Sequence, residues 1–201
     1  MCYRNLISIV LNEPCFCRLP DTNNMKIQVD KNIELRQLEQ SDSADIFHAI
    51  DSQREYLGRW LPFVEWTKEI KDTENFVDSV VHAPGDCFNF VFTIRKQDEL
   101  IGLIGFKGTD KQNQKTELGY WLSEKYQKQG IVTACVDRLC HFAFDELGMN
   151  RIQIKCAVGN ISSQKIPRRL NFTLEGIERD GELLSGNIFT DLEVYSKLKR
   201  D

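Results

Sequence analysis

Apolar positions alternate with polar ones across residues 26–38, where Ile27, Val29, Ile33 and Leu35 keep step and Asp30-Lys31-Asn32 interrupts them. Such alternation predicts a strand broken at the interruption. The period then lengthens. Ala44, Ile46, Phe47 and Ile50 fall at helical spacing behind Ser41 or Asp42, either of which can cap a helix. Residues 54–69 are aromatic, follow no period and contain Pro62, which predicts a loop. Asp72-Thr73-Glu74-Asn75 opens a second helix with an apolar face of Phe76, Val77, Val80 and Val81, and Pro84-Gly85 stops it.

Residues 87–94 and 100–106 are β-rich runs joined by a polar turn, Lys96-Gln97-Asp98-Glu99. After Gly108-Thr109-Asp110, residues 116–122 add a third antiparallel strand. Val132, Val136, Leu139, Ala143 and Leu147 form one helical stripe over residues 131–147, ended by Gly148. A strand over 151–158 puts Ile152, Ile154 and Cys156 on one face, and a helix over 160–170 contains Pro167. A strand from 172 turns at Asp180-Gly181, and a last one covers 189–198. The series β-α-α-β-β-β-α-β-α-β-β predicts an α+β domain built on a mixed sheet.

Chemistry enters at Gln127-Lys128-Gln129-Gly130-Ile131-Val132-Thr133, between the 116–122 strand and the long helix. The first N–H groups of a helix lack intrahelical partners and sit at the positive end of its dipole, which suits phosphate. Gly130 allows close backbone approach and Lys128 adds charge. A single glycine before a helix is equally the mark of an ordinary strand-to-helix turn.

The neighbouring motifs add to this. Glu117-Leu118-Gly119-Tyr120-Trp121-Leu122 followed by Gln-x-x-Gly resembles the acyl-CoA pyrophosphate loop of the GNAT N-acetyltransferases. Asn160-Ile161-Ser162-Ser163, then Asn171-Phe172-Thr173-Leu174-Glu175-Gly176, resembles the branch that contains ribosomal-protein N-terminal acetyltransferases. Arg54-Glu55-Tyr56-Leu57 and Trp60-Leu61-Pro62-Phe63 look like that branch's substrate-side loop. The resemblance runs from about residue 25 to 198 and carries four motifs in order.

It implies a mixed, mostly antiparallel sheet flanked by helices, with a splayed central strand pair that holds acyl-CoA. The implied cosubstrate is acetyl-CoA, with no metal. Trp121 and Leu122 would lie along the pantetheine arm, a backbone N–H near Leu122 would serve as oxyanion donor, and Gln127, Lys128, Gln129, Gly130, Ile131 and Val132 would hold the phosphates. Asn160 would bind the arm and Ser163 would donate to the leaving thiolate. As a helix N-cap, Asn160 has an equally ordinary role. Tyr56, Trp60, Phe63 and Trp66 form the implied acceptor wall. Glu117, the one carboxylate on its strand, is the candidate base, although a strand glutamate is commonly solvated or salt-bridged and a water chain can do the same work. Tyr195, in the last strand, is expected to pack with its hydroxyl satisfied.

Three positions depart from the family pattern. Asn171 stands where glycine is usual before Phe172, and asparagine tolerates a left-handed helix end. Gln129 stands where Gly or Lys is frequent. Pro167 removes a helix hydrogen bond and clashes with the preceding turn, at a cost of roughly 3 kcal/mol. A distorted turn at Ser163 would weaken the acid role before CoA binding.

Composition narrows the remaining choices. A chain of 201 residues with 41% hydrophobic and 28% charged residues fits one globular domain, expected over 25–201. Residues 1–24 read as a poorly ordered extension, with Met25 a candidate start. A net charge of -4 argues against general nucleic-acid binding and suits an amine substrate. Seven cysteines, at 2, 15, 17, 87, 135, 140 and 156, form no Cys-x-x-Cys pair and read as reduced thiols of a cytoplasmic protein. His48, His82 and His141 show no ligand spacing, and no run reaches the roughly 18 apolar residues of a membrane span. The expected reaction is acetyl transfer to a primary amine, a protein N-terminal α-amine first and a small amine or polyamine second. A CoA-binding sensor without chemistry is the alternative from another class, motivated by Pro167. A nucleotide P-loop is disfavoured because Gly-x-x-x-x-Gly-Lys-Ser/Thr is absent. The resemblance also implies a possible homodimer, with neither nucleic acid nor membrane as partner.

Overall fold

The computed structural model describes residues 25–83 and 88–201. The expectations for residues 1–24, for Cys87 and for Pro84-Gly85 lie outside these. Lys26–Gln28 (β1) and Ile33–Gln37 (β2) form an antiparallel hairpin. At the predicted break, the Asp30 carboxylate accepts from the N–H of Asn32 at 2.7 Å and of Ile33 at 3.0 Å.

Helices then cover one face of the sheet. Ser43–Asp51 (α1) follows a 3-10 turn at Gln40–Asp42. The cap there is Glu39 rather than Ser41 or Asp42, and the Asp42 carboxylate reaches back to the Glu39 N–H at 2.9 Å. The other Asp42 oxygen accepts from Arg95 at 2.5 Å. The predicted loop over 54–69 is in fact two short helices, Arg54–Gly58 (α2) and Phe63–Trp66 (α3). Each buries one apolar residue, Leu57 or Val64, so neither is long enough to display a period. Arg54 ties them together, donating to the carbonyls of Val64 at 3.0 Å and Thr67 at 2.6 Å. Ile70–Val81 (α4) begins earlier than predicted, capped by the Glu69–Asp72 box. Its buried face is narrower than expected: Thr73 and Val77 are covered, while Phe76 and Val81 are exposed.

The remaining strands are Val91–Lys96 (β3), Glu99–Asp110 (β4), Lys115–Leu122 (β5), Arg151–Ala157 (β6), Thr173–Leu184 (β7) and Ile188–Leu198 (β8). They pair in the order β1-β2-β3-β4-β5-β6-β8-β7, antiparallel everywhere except β5–β6. Gln97 and Asp98 make the β3–β4 turn with φ of 50° and 71°, the left-handed pair that a tight hairpin needs. Two turns lie later than predicted. Gly108-Thr109-Asp110 belongs to β4, and the chain reverses after it. Asp180-Gly181 belongs to β7, where the register shifts between Glu178 and Glu182, and the hairpin closes before Ile188.

Ile131–His141 (α5) crosses between the parallel strands, and Ile161–Arg169 (α6) leads from β6 toward β7. The predicted long helix loses its α geometry at Phe142, where a π turn over Phe142–Glu146 closes with Leu147 N–H on the Phe142 carbonyl at 3.2 Å. The Phe142 ring meets those of Phe90, Phe92 and Phe106 within 6.3–6.4 Å. One core packs α5 against Phe92, Ile104, Leu118 and Ile154. A second, on the opposite face, joins Ile46, Leu57, Val64 and Val77 to Trp121.

Cys135, Cys140 and Cys156 are buried and free, and burial pushes their thiols up to about 12, 12 and 11. Tyr195 is buried as expected, and its hydroxyl accepts from Arg168 at 2.7 Å. Near the C-terminal hairpin, Arg151 holds Glu175 through contacts of 2.6 and 2.5 Å, and Ser196 donates to it at 2.7 Å. These donors lower the Glu175 carboxyl from 4.5 to about 2. A depressed carboxyl stabilises the fold above its unfolded value and loses that contribution as pH falls through its folded value. The wild type is therefore expected to lose stability between about pH 4.5 and 2 through this residue. Arg151→Met should flatten that part of the denaturation-against-pH curve, and an unchanged slope would refute the assignment.

Candidate active site

Parallel pairing between β5 and β6 extends only from Lys115↔Arg151 to Glu117↔Gln153. Past that point each strand stays with its outer neighbour: β5 with β4 as far as Leu122↔Gly102, β6 with β8 as far as Ala157↔Leu192. The inner edges diverge and border a cleft of about 1370 Å³. Ser123 N–H donates to the Ile101 carbonyl on β4 at 2.8 Å. By strand alternation the N–H and C=O of Leu122 point the other way, into the splay. The Leu122 N–H, an edge group without a strand partner on that side, suits an acceptor on an extended ligand arm.

The loop expected to hold the phosphates is shaped by backbone conformation. Lys128 and Gly130 take φ of 61° and 77°, wrapping the chain so that α5 starts facing the cleft. The first α5 backbone bond is Ala134 N–H to the Gly130 carbonyl at 3.0 Å, so the N–H groups of Ile131, Val132 and Thr133 precede it and lack helical acceptors. A Cβ on Gly130 would meet nothing within 4 Å. The left-handed turn is a second reason for glycine there, beside the close ligand approach that the sequence suggests.

The residues expected to form the acceptor wall are tied to that loop in part. The Tyr56 hydroxyl donates to the Leu122 carbonyl at 3.3 Å and accepts from the Gln127 side chain. Gln53, at the mouth of α2, donates to Ser123 Oγ at 3.0 Å and accepts from Glu124 N–H at 2.9 Å. Trp60 lies against Gly159, where an added Cβ would sit 2.8 Å from the ring. Gly159→Ala is thus expected to push the indole out of place, raising KM for the acceptor several-fold with acetyl-CoA affinity unchanged. A parallel loss of CoA affinity in titration would show that Trp60 does not belong to the acceptor side alone.

Twelve of the sequence-predicted site residues line this cleft: Tyr56, Trp60, Trp121, Leu122, Gln127, Lys128, Gln129, Gly130, Ile131, Val132, Asn160 and Ser163. Phe63, Trp66 and Glu117 do not. Phe63 and Trp66 sit on α3 with 40% and 70% of their surface exposed. Glu117 faces the opposite side of β5 from Leu118, pairs with Lys107 at 2.9 Å and accepts from Gln153 at 3.4 Å. Glu182 stands near it, and desolvation raises its carboxyl above the ordinary value while Glu117 adds like-charge repulsion. Asn160 does cap α6, accepting from Ser163 N–H at 3.1 Å. Ser163 Oγ lies 3.1 Å from the Tyr120 hydroxyl and 3.3 Å from Cys156 Sγ. Sequence reasoning overlooked Tyr120, and also Lys165 and Arg169, whose i,i+4 spacing on α6 was the available signal for two charges on one helix face. Among the described residues no acidic, histidine or cysteine cluster could hold a metal ion, and no helix is long and apolar enough to cross a membrane.

Residues 32–173 match the family described as acetyltransferase (GNAT) domain. The chain belongs to the GNAT family of acetyl-CoA-dependent N-acetyltransferases. Against YdaF of Bacillus subtilis, provisionally named a ribosomal N-acetyltransferase, it is 34% identical over 87% of this chain and 95% of the relative. Against the ribosomal-protein-serine acetyltransferase of Escherichia coli it is 29% identical, over 86% and 96%. The solved structure of the ribosomal L7/L12 α-N-protein acetyltransferase RimL in complex with coenzyme A superposes with a TM-score of 0.83 at 26% identity, over 87% of this chain and 98% of that one. The GNAT fold, with its eight-stranded mixed sheet and flanking helices, is therefore as expected.

Proposed function

We propose that this GNAT enzyme acetylates a protein N-terminal α-amine of the ribosomal-protein type. The observation that carries the acceptor class is the near full-length similarity to relatives named for ribosomal-protein acetylation. Acetyl-CoA enters along the splay, its phosphates on the N–H groups of Ile131, Val132 and Thr133, with Lys128, Lys165 and Arg169 supplying charge. The Leu122 N–H polarises the thioester carbonyl. Tyr56 and Trp60 border the amine, and the Asn160 cap holds the start of α6 against the arm.

Glu117 takes up the ammonium proton through water, since it lies outside the cleft lining, with Glu182 beside it as a carboxyl that desolvation raises. The amine attacks within a ternary complex, the C–S bond breaks with its electron pair on sulfur, and Ser163 donates a hydrogen bond to that thiolate. The first proton passes from Glu117 to solvent, and the second, lost by the nitrogen once it has attacked, ends on the CoA sulfur.

The test presents the enzyme and acetyl-CoA with synthetic N-terminal peptides beginning in Ser or Ala, with spermidine, and with no acceptor. Peptide mass gain with stoichiometric free thiol is expected. Faster turnover of spermidine would move the assignment to small amines. Tight CoA binding without turnover of any amine would favour a sensor.

A further inference from the structure

Pro167 has no N–H, so the carbonyl four residues earlier in α6, that of Ser163, loses its helical donor. The structure fills the gap from another element. The Tyr120 hydroxyl, arriving from β5, lies 3.4 Å from the Ser163 carbonyl oxygen and 3.1 Å from Ser163 Oγ. A phenol has one proton; two of the acceptors near it belong to Ser163, and the third, the Cys156 thiol, is a weak one. Burial pushes the Tyr120 hydroxyl well above the ordinary tyrosine value, so it stays a donor.

We propose that Tyr120 is a positioning residue for Ser163, and that Pro167 is what reserves it for this task. The inference deepens the acetyl-transfer reading given above and rests on it for its kinetic part. With the Tyr120 proton shared between the carbonyl and Oγ, an Oγ lone pair is occupied and the serine's own proton is free to point into the cleft. Cys156 Sγ, at 3.3 Å, competes for it only as a weak sulfur acceptor, and the Tyr120 oxygen is engaged as donor in this arrangement. When the C–S bond breaks and its electron pair leaves on the CoA sulfur, the oriented Ser163 hydroxyl is the donor that meets it. Tyr120 exchanges no proton with substrate. In an ordinary helix residue 167 would donate to the Ser163 carbonyl, and Tyr120 would be held there only through Oγ and the Cys156 thiol. The proline therefore couples a strand on one side of the splay to the helix on the other.

The test is a pair of double-mutant cycles on the full chain. In thermal melts, Tyr120→Phe should lower Tm clearly in wild type, because it orphans the Ser163 carbonyl. It should lower Tm much less in a Pro167→Ala background, where the new N–H takes that carbonyl. Equal shifts in both backgrounds would overturn the Pro167 coupling, and this arm needs no acceptor. In single-turnover kinetics with the peptide acceptor, Tyr120→Phe should cut the rate about tenfold, the size of one neutral hydrogen bond, with acetyl-CoA affinity unchanged. In a Ser163→Ala background the same substitution should change the rate less than twofold. A full tenfold loss there would show that Tyr120 does not act through Ser163. If no amine is turned over by wild type, the acetyl-transfer reading and the kinetic role fall together while the melts still decide the structural coupling.

Discussion

Gly130→Glu is expected to abolish acetyl-CoA binding while leaving the fold intact. Two separate effects combine at this position. A φ of 77° forces any L-residue into the left-handed region, at a cost of about 1 kcal/mol. Nothing lies within 4 Å of the added Cβ, so there is no clash to unfold the domain. The carboxylate then stands beside the N–H groups of Ile131, Val132 and Thr133 and takes the place of a phosphate. Isothermal titration should show at least a roughly hundredfold weaker Kd, about 2.7 kcal/mol. Gly130→Ala separates the terms, since it carries only the backbone strain and should weaken binding about tenfold or less. Unchanged affinity in the glutamate variant would remove this loop from the cofactor site.

Gly102→Ala should damage stability and cofactor binding at once. Gly102 opposes Leu122 across β4 and β5, and a Cβ there would fall 2.3 Å from the Trp121 carbonyl oxygen and 3.1 Å from Leu122 Cα. Both obstacles are backbone, so no rotamer relieves them, and the strands must separate. Overpacking of this kind costs about 3 kcal/mol. The separation falls on the segment that carries the Leu122 N–H, so acetyl-CoA affinity should drop together with the denaturation midpoint. A variant as stable as wild type would mean that the two strands adjust freely, against their continuous pairing from Gly102 to Lys107.

What was legible in the sequence was local. Strand and helix periods at Ile33, Leu35, Val136 and Leu139, the left-handed tolerance of Asn171 (φ 58°), and the loop before α5 all depend on neighbours a few residues away. The free N–H groups proposed for the phosphates were therefore readable, because a helix N-terminus carries its own N–H groups. The short helices α2 and α3 were hidden because a single turn has no period, and the position of Phe63 and Trp66 outside the cleft followed from them.

Tertiary structure decided the rest. Whether Glu117 faces the cleft depends on how β4, β5 and β6 align, and its strand alone does not contain that information. The splay exists because β5 and β6 each remain bound to an outer partner after leaving one another. Pro167 reads in isolation as a helix defect. Its consequence was set by Tyr120, 43 residues from Ser163 in the chain, which supplies the donor the proline lacks. Local sequence specifies which backbone groups a segment leaves unpaired, and only the packed fold specifies what comes to meet them.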